Sequence, residues 1–281
     1  SALWLLPRVA DDRVEQKTPA LQIALLLVAV LLVSVAGTIE DLPAKIVLIV
    51  VSVLSTAAML ATERRSENRL LPLGSVMLSK PIARLYLMMF SLMLVLTSDI
   101  YIPYFLQTLH AVPPLVSGYL VALVAMGWTV AALVSASFSN RRASISIIVG
   151  CILETVATAS LTFLLARDNT NGDIAALVPA VVAMFLMGFG IGLVWAHLVT
   201  KVIGVVGSTE QDKASAAIST VQSLGGAFGS SLAGVIVNGA GLADPGGVAG
   251  ALSASTWLYA LMALPGLVPI ALSFTLKPAS A

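Results

Sequence analysis

The chain has 281 residues, 58% of them hydrophobic and 10% charged, with a mean hydropathy of +1.00. Charged residues make up about 25% of an ordinary soluble domain, so this composition excludes one and points to an all-α integral membrane protein. The formal net charge of +1 hides an uneven placement of Lys and Arg, and the single cysteine, Cys151, excludes an internal disulfide framework and a cysteine metal site. Taken in order, Ser1-Ala2-Leu3-Trp4-Leu5-Leu6-Pro7-Arg8 reads as the last turns of an earlier apolar helix, so a fragment or one half of a split protein is expected. The basic start and small-residue cleavage pattern of a signal peptide are missing. After a polar connector to residue 18, apolar runs at 19–37 and 43–61 predict a helical hairpin compatible with lipid. A charged connector over 62–81, with Glu63, Arg64, Arg65, Glu67 and Arg69, is the expected domain boundary. Six further helices are predicted at 82–109, 114–138, 143–166, 175–204, 213–239 and 252–276, within a unit of residues 82–281. The expected total is eight transmembrane helices.

Counting basic residues tests this arrangement. With the N-terminal connector in the cytoplasm, strict alternation puts thirteen of the 15 Lys and Arg residues inside and leaves only Lys45 and Arg167 outside. A multi-pass protein of the cell (cytoplasmic) membrane is expected, with both termini of the fragment facing the cytoplasm.

The most organised stretch runs from Val178 to Val237. One apolar arm carries Gly188, Gly190 and Gly192; a polar loop, Ser208-Thr209-Glu210-Gln211-Asp212-Lys213, joins it to a second arm with Gly225, Gly226, Gly229 and Gly234. Glycine is a poor helix former in water, but in lipid it lets helix backbones approach closely. These glycines are therefore expected to be helix-packing residues inside a bundle.

The same stretch carries a resemblance. Gly188-Phe189-Gly190-Ile191-Gly192-Leu193-Val194, then Ala214-Ser215-Ala216 and Gln222-Ser223-Leu224-Gly225-Gly226-Ala227-Phe228-Gly229, is similar to helices ten and eleven of major facilitator superfamily transporters. The group most resembled is the fourteen-helix drug/proton antiporters of EmrB/QacA type. Tyr101-Ile102-Pro103-Tyr104-Phe105-Leu106-Gln107 resembles the outer end of their seventh helix, and Asn140-Arg141-Arg142 the basic loop between helices eight and nine. The hairpin at 19–61 matches the two helices that this group inserts between its halves. The resemblance implies a six-helix C-terminal half, proton-coupled export of small amphipathic or drug-like molecules by alternating access, and a partner N-terminal six-helix half on the same or a separate chain. It implies no cofactor.

Ionisable residues inside spans are costly, about 2.5–3.5 kcal/mol or more at the centre, so each needs a reason. Asp99 lies roughly 22 Å along its span, and Glu154 falls near the middle of its own. A carboxyl group in apolar surroundings favours its neutral form, so either can load and release a proton. For Asp99 the competing reading is a solvated carboxylate at a wet helix end, bonded to Thr97, Ser98 or Tyr101; for Glu154 it is a structural hydrogen bond to Ser or Thr on a neighbouring helix. Trp128, Tyr101 and Tyr104, with Phe105 and Trp195, can line a pocket for flat, apolar or cationic ligands, or form an interfacial belt. Gln222 and Asn238 can hydrogen-bond substrate or neighbouring helices. His197 beside Trp195 reads as a proton relay or an interfacial anchor. Arg141 and Arg142 with Glu210 and Asp212 form either a charge latch or plain topology signals, and Pro103, Pro179, Pro265 and Pro269 mark hinges or tolerated breaks.

No Walker loop, Gly-x-Ser-x-Gly elbow, His-Glu-x-x-His pair or basic patch with interleaved aromatics occurs. An enzyme is not expected, nor a metal site or a nucleic-acid partner. The competing class is a non-transporting membrane scaffold or regulatory half-transporter paired with another membrane protein, and a homodimer of halves is a third option.

Overall fold

In the computed structural model, residues 19–276 apart from 40 and 67 are described, and all their regular structure is helical. The expected helix remnant at residues 1–6 and the connector to residue 18 lie outside the described residues. The helices are α1 (Ala20–Ala36), α2 (Leu42–Arg65), α3 (Pro81–Leu96), α4 (Ile102–His110), α5 (Pro114–Ser135), α6 (Asn140–Leu164), α7 (Ile174–Gly204), α8 (Gln211–Gly239), α9 (Gly247–Ala263) and α10 (Leu267–Ser273). Joined across short 3₁₀ segments, they provide seven apolar stretches long enough to cross a membrane. The eighth, α1, has 17 residues, the lower end of the spanning range of about 17–25.

Two spans are interrupted where proline requires it. Pro103 has no N–H to give to the carbonyl four residues back, and that residue is Asp99. The chain answers with a 3₁₀ segment, Thr97–Tyr101, between α3 and α4. Pro265 similarly sits in the 3₁₀ segment Leu264–Gly266 between α9 and α10. Pro179, by contrast, lies within the continuous α7. The last span starts at Gly247, earlier than the expected residue 252.

Packing follows the small residues. Helix α7 runs along α5 and α6, α3 along α8, and α6 along α9. A Cβ at Gly188 would strike the Val124 carbonyl of α5, and one at Gly192 the Trp128 carbonyl and, at 2.8 Å, the Ala131 side chain. At Gly190 it would lie 2.5 Å from the Glu154 nitrogen and 2.8 Å from the Gly150 carbonyl oxygen of α6. On α8, Gly225 faces Phe90 and Met93 of α3, and Gly229 faces Leu94 and Thr97. Gly226 departs from the expected packing role. It has nothing within 4 Å of a built Cβ, because it lies one helical step away from the α3 contact.

The hairpin packs in the same way. Ala29 and Ala36 are fully buried, and two serines of α2 donate across to α1: Ser52 to the Ala29 carbonyl at 2.7 Å and Ser55 to the Leu25 carbonyl at 2.8 Å. Helix α1 also lies against α8, where the Asn238 side-chain N–H donates to the Gly37 carbonyl at 2.6 Å. Asn238→Ala is expected to weaken this attachment by about 0.5–1.5 kcal/mol, read as faster amide exchange around Gly37 and Thr38 with the rest of the bundle unchanged.

At the end opposite Arg84, Arg141 and Arg142, where Arg167 lies, His110 joins three helix ends. Its Nε2 contacts the Leu165 carbonyl at 2.9 Å, and Asn169 Nδ2 contacts its Nδ1 at 3.2 Å, while the Asn169 backbone N–H donates to the Leu109 carbonyl at 2.7 Å. The pair of ring contacts fits the neutral Nε2–H tautomer. His110→Ala leaves the buried Leu165 carbonyl and the Asn169 amide each short of a partner, an expected loss of about 1–3 kcal/mol readable as a lower melting temperature. In the adjoining exposed turn, hydrogen bonds from the Thr170 side chain and backbone hold the Asp168 carboxyl below the ordinary carboxylate range.

Candidate transport site

Two buried apolar clusters occupy the bundle. Toward the arginine-bearing end, Met88, Met89 and Leu92 of α3 meet Ile147 and Cys151 of α6, Ile191 and Val194 of α7, and Ala217 and Val221 of α8. Toward the other end, Phe105 and Leu106 of α4 meet Leu161 of α6, Met184 and Met187 of α7, and Leu258 and Tyr259 of α9. On α6 the stretch between cluster members Cys151 and Ala157 carries the polar residues Glu154 and Thr155; on the α3–α4 span the stretch between Met93 and Ile102 carries Thr97, Ser98, Asp99 and Tyr101. Both predicted carboxylates thus fall, along their helices, between members of the two clusters.

Their surroundings differ. Glu154 is fully buried, and neither carboxylate oxygen has a hydrogen-bond partner. The expected alternative, a bond from a neighbouring Ser or Thr, is not formed. Thr155 and Thr158 spend their hydroxyls on their own helix, at the Cys151 and Glu154 carbonyls, 2.8 and 2.9 Å away. Its backbone is pressed against Gly190 of α7, which holds the side chain in the interior. Few buried polar groups in native proteins lack partners, and each exception calls for an explanation.

Asp99 is only half-buried and sits in the middle of the 3₁₀ break. Thr97 and Ser98 do not cap it, since their hydroxyls bond the Leu94 and Val95 carbonyls at 2.7 and 2.9 Å. The Ile100 amide faces its carboxylate, and it interacts electrostatically with Tyr259 of α9. Interrupted helices inside a membrane are tolerated where the freed backbone is buried in protein or lines a cavity.

The aromatic candidates form two groups. Tyr101 and Tyr104 pack on Phe105 with ring centroids 6.3 and 5.8 Å apart, and Phe105 meets Tyr259 edge-on at 6.1 Å. This group adjoins Asp99. Trp128 stands apart and pairs with Trp195 at 5.8 Å, beside the other apolar cluster. Gln222 is exposed on α8, whereas the amide of Asn238 is engaged with Gly37. His197 is buried near the arginine-bearing end, its Nε2 without a hydrogen-bond partner. Among the described residues no group of three His, Cys, Asp or Glu is placed to hold a metal ion.

Tyr259 escaped the sequence reading. It is fully buried and its hydroxyl lacks a partner, as does that of Ser255 one turn away. The signal was a phenol within the apolar run Trp257-Leu258-Tyr259-Ala260-Leu261, which reads equally well as core.

Residues 2–230 match the model of the Major Facilitator Superfamily, a stretch that includes the hairpin and most of the bundle. The chain belongs to the major facilitator superfamily. Two relatives named "probable multidrug-efflux transporter", from two strains of Mycobacterium tuberculosis, are each 33% identical over 223 residues, covering 79% of this chain and 47% of the relative. The puromycin resistance protein of Streptomyces alboniger is 30% identical over 208 residues, covering 70% of this chain and 39% of its own. The chain therefore spans about half or less of the length of these superfamily relatives, and it is a multi-pass membrane protein.

Proposed function

We propose that this chain is the C-terminal portion of a secondary active transporter that exports small amphipathic or drug-like molecules in exchange for protons by alternating access. On this reading residues 19–61 are two linker helices and residues 82–281 a six-helix half. An N-terminal half, on the same or a separate chain, completes the path in the cell membrane, and the arginine-bearing end faces the cytoplasm. The carrying observation is Asp99 at a helix break beside an aromatic group, with Glu154 buried without partners on α6. The word efflux in the names of the two Mycobacterium tuberculosis relatives, and puromycin resistance in that of the Streptomyces alboniger one, support the reading.

Asp99 is the first choice for the proton-exchanging group, because partial exposure and an irregular backbone give it a route to water. Glu154 is the second: carrying a proton relieves the cost of holding a bare charge among apolar groups, about 2.5–3.5 kcal/mol or more. Tyr101 and Tyr104 offer faces to a flat or cationic substrate near Asp99, with Trp128, Gln222 and Asn238 as the more distant candidates.

The small polar face of α8 favours the N-terminal half as a partner. Ser215, Ser219, Gln222 and Ser223 are exposed along it, whereas a span facing lipid alone reads apolar, as α2 does with Val47, Val50 and Leu54. The test is dye efflux from cells expressing the complete transporter. Efflux that stops when a protonophore collapses the proton gradient at constant ATP is the expected result; efflux that continues overturns the proposal.

A further inference from the structure

The charged connector is folded, and its fold encloses a cavity. Glu63 is 2% exposed and accepts hydrogen bonds from the backbone N–H groups of Leu70 at 3.2 Å and Leu71 at 2.6 Å. Gln22 of α1 donates to the Asn68 carbonyl at 2.9 Å, and Arg64 Nη2 donates to the Val76 carbonyl at 3.1 Å. These bonds bend the connector back over the gap between the hairpin and the α3–α8 pair. The space beneath is about 460 Å³, within the size range of about 300–1,000 Å³ for small-ligand sites.

Its walls are apolar, with Leu26, Met59, Phe90 and Phe228 among them. Four hydroxyls reach the lining, and each is already spent on a backbone carbonyl: Thr56 on Ser52 at 3.0 Å, Ser75 on Pro72 at 2.7 Å, Tyr86 on Ala214 at 3.2 Å and Thr220 on Ala216 at 3.2 Å. Arg64 is the charged member of the lining, is exposed, and uses one N–H in its bond to Val76. A guanidinium has five N–H donors, so most of its capacity faces outward. The cavity thus offers an apolar chamber with one cationic group, in a protein whose surroundings are lipid.

We infer that this chamber holds one acyl chain of an anionic phospholipid, with the phosphate on Arg64 at the rim. Arg65, Arg69 and Lys80 lie in the same connector region and add to the positive field there. Basic pockets between membrane helices recognise anionic headgroups in this way. The inference depends on the hairpin, the connector and the parts of α3 and α8 that face them, and stands apart from proton exchange.

The test uses the complete transporter, purified, stripped of lipid and returned to detergent micelles containing phosphatidylglycerol or phosphatidylcholine with identical chains. Binding read by native mass spectrometry should favour phosphatidylglycerol. Arg64→Gln, at an exposed position, should lose about fivefold of that affinity and most of the preference, the factor one cationic side chain supplies at an anionic surface. Ala83→Phe, which fills the chamber, should lose both lipids, and inorganic phosphate at equal concentration should displace neither. Equal binding of the two lipids by the unaltered protein, undiminished preference in Arg64→Gln, or displacement by phosphate overturns the inference.

Discussion

Alanine at Gly190 is expected to cost this protein most of its folded yield. The added Cβ would lie 2.5 Å from the Glu154 nitrogen and 2.9 Å from its Cα, and both are backbone atoms that no rotamer change can move. Helices α6 and α7 must separate, and because α7 also carries Gly188 against Val124 and Gly192 against Trp128, the strain spreads to α5. Overpacking of this kind costs about 1–3 kcal/mol, more where backbones meet. Gly226→Ala is the matched control. Its Cβ enters open space, and alanine gains about 1 kcal/mol of helix propensity. Melting temperatures of the two variants in one detergent check the difference: Gly190→Ala well below the parent, Gly226→Ala level with it or above. Equal melting would mean that α6 and α7 are not in direct backbone contact.

Glu154→Met is expected to move stability and transport in opposite directions. The carboxylate is fully buried with both oxygens unpartnered, and an unsatisfied buried polar group costs about 1–3 kcal/mol. Methionine has similar length, fills the same space and carries no such cost. The variant should therefore melt higher than the parent. If Glu154 takes part in proton exchange, as proposed, drug-linked proton movement in vesicles of the complete transporter should fall in the same variant. A structural carboxylate gives the reverse result, with lower stability and coupling unchanged. The paired readout separates a group retained for function from one retained for packing.

The spans were legible because bilayer thickness sets their length and small residues mark their contacts. Gly188, Gly190, Gly192, Gly225 and Gly229 each oppose a neighbouring helix. Gly226 was not separable from Gly225 by composition, since one residue of phase decides which of them meets α3. The break at Thr97–Tyr101 was half legible: Pro103 announced a disturbance, but its placement at Asp99 follows from the four-residue reach of the helix hydrogen bond. The folded connector was hidden, because Glu63 reads as a solvated charge until its two backbone donors, Leu70 and Leu71, are seen. Asn238 was hidden likewise, its partner Gly37 lying 201 residues away in sequence. Tyr259 stayed obscure because an aromatic in an apolar run carries no local sign of the carboxylate it will approach.

The central claim is that Asp99, at the broken helix, exchanges the proton that drives export. It is tested most directly in vesicles containing the complete transporter, with internal pH followed by a trapped dye while substrate is added. The parent should show substrate-dependent proton movement, and Asp99→Asn should still bind substrate but show proton movement no greater than protein-free vesicles. Undiminished coupled proton movement in Asp99→Asn would contradict the account.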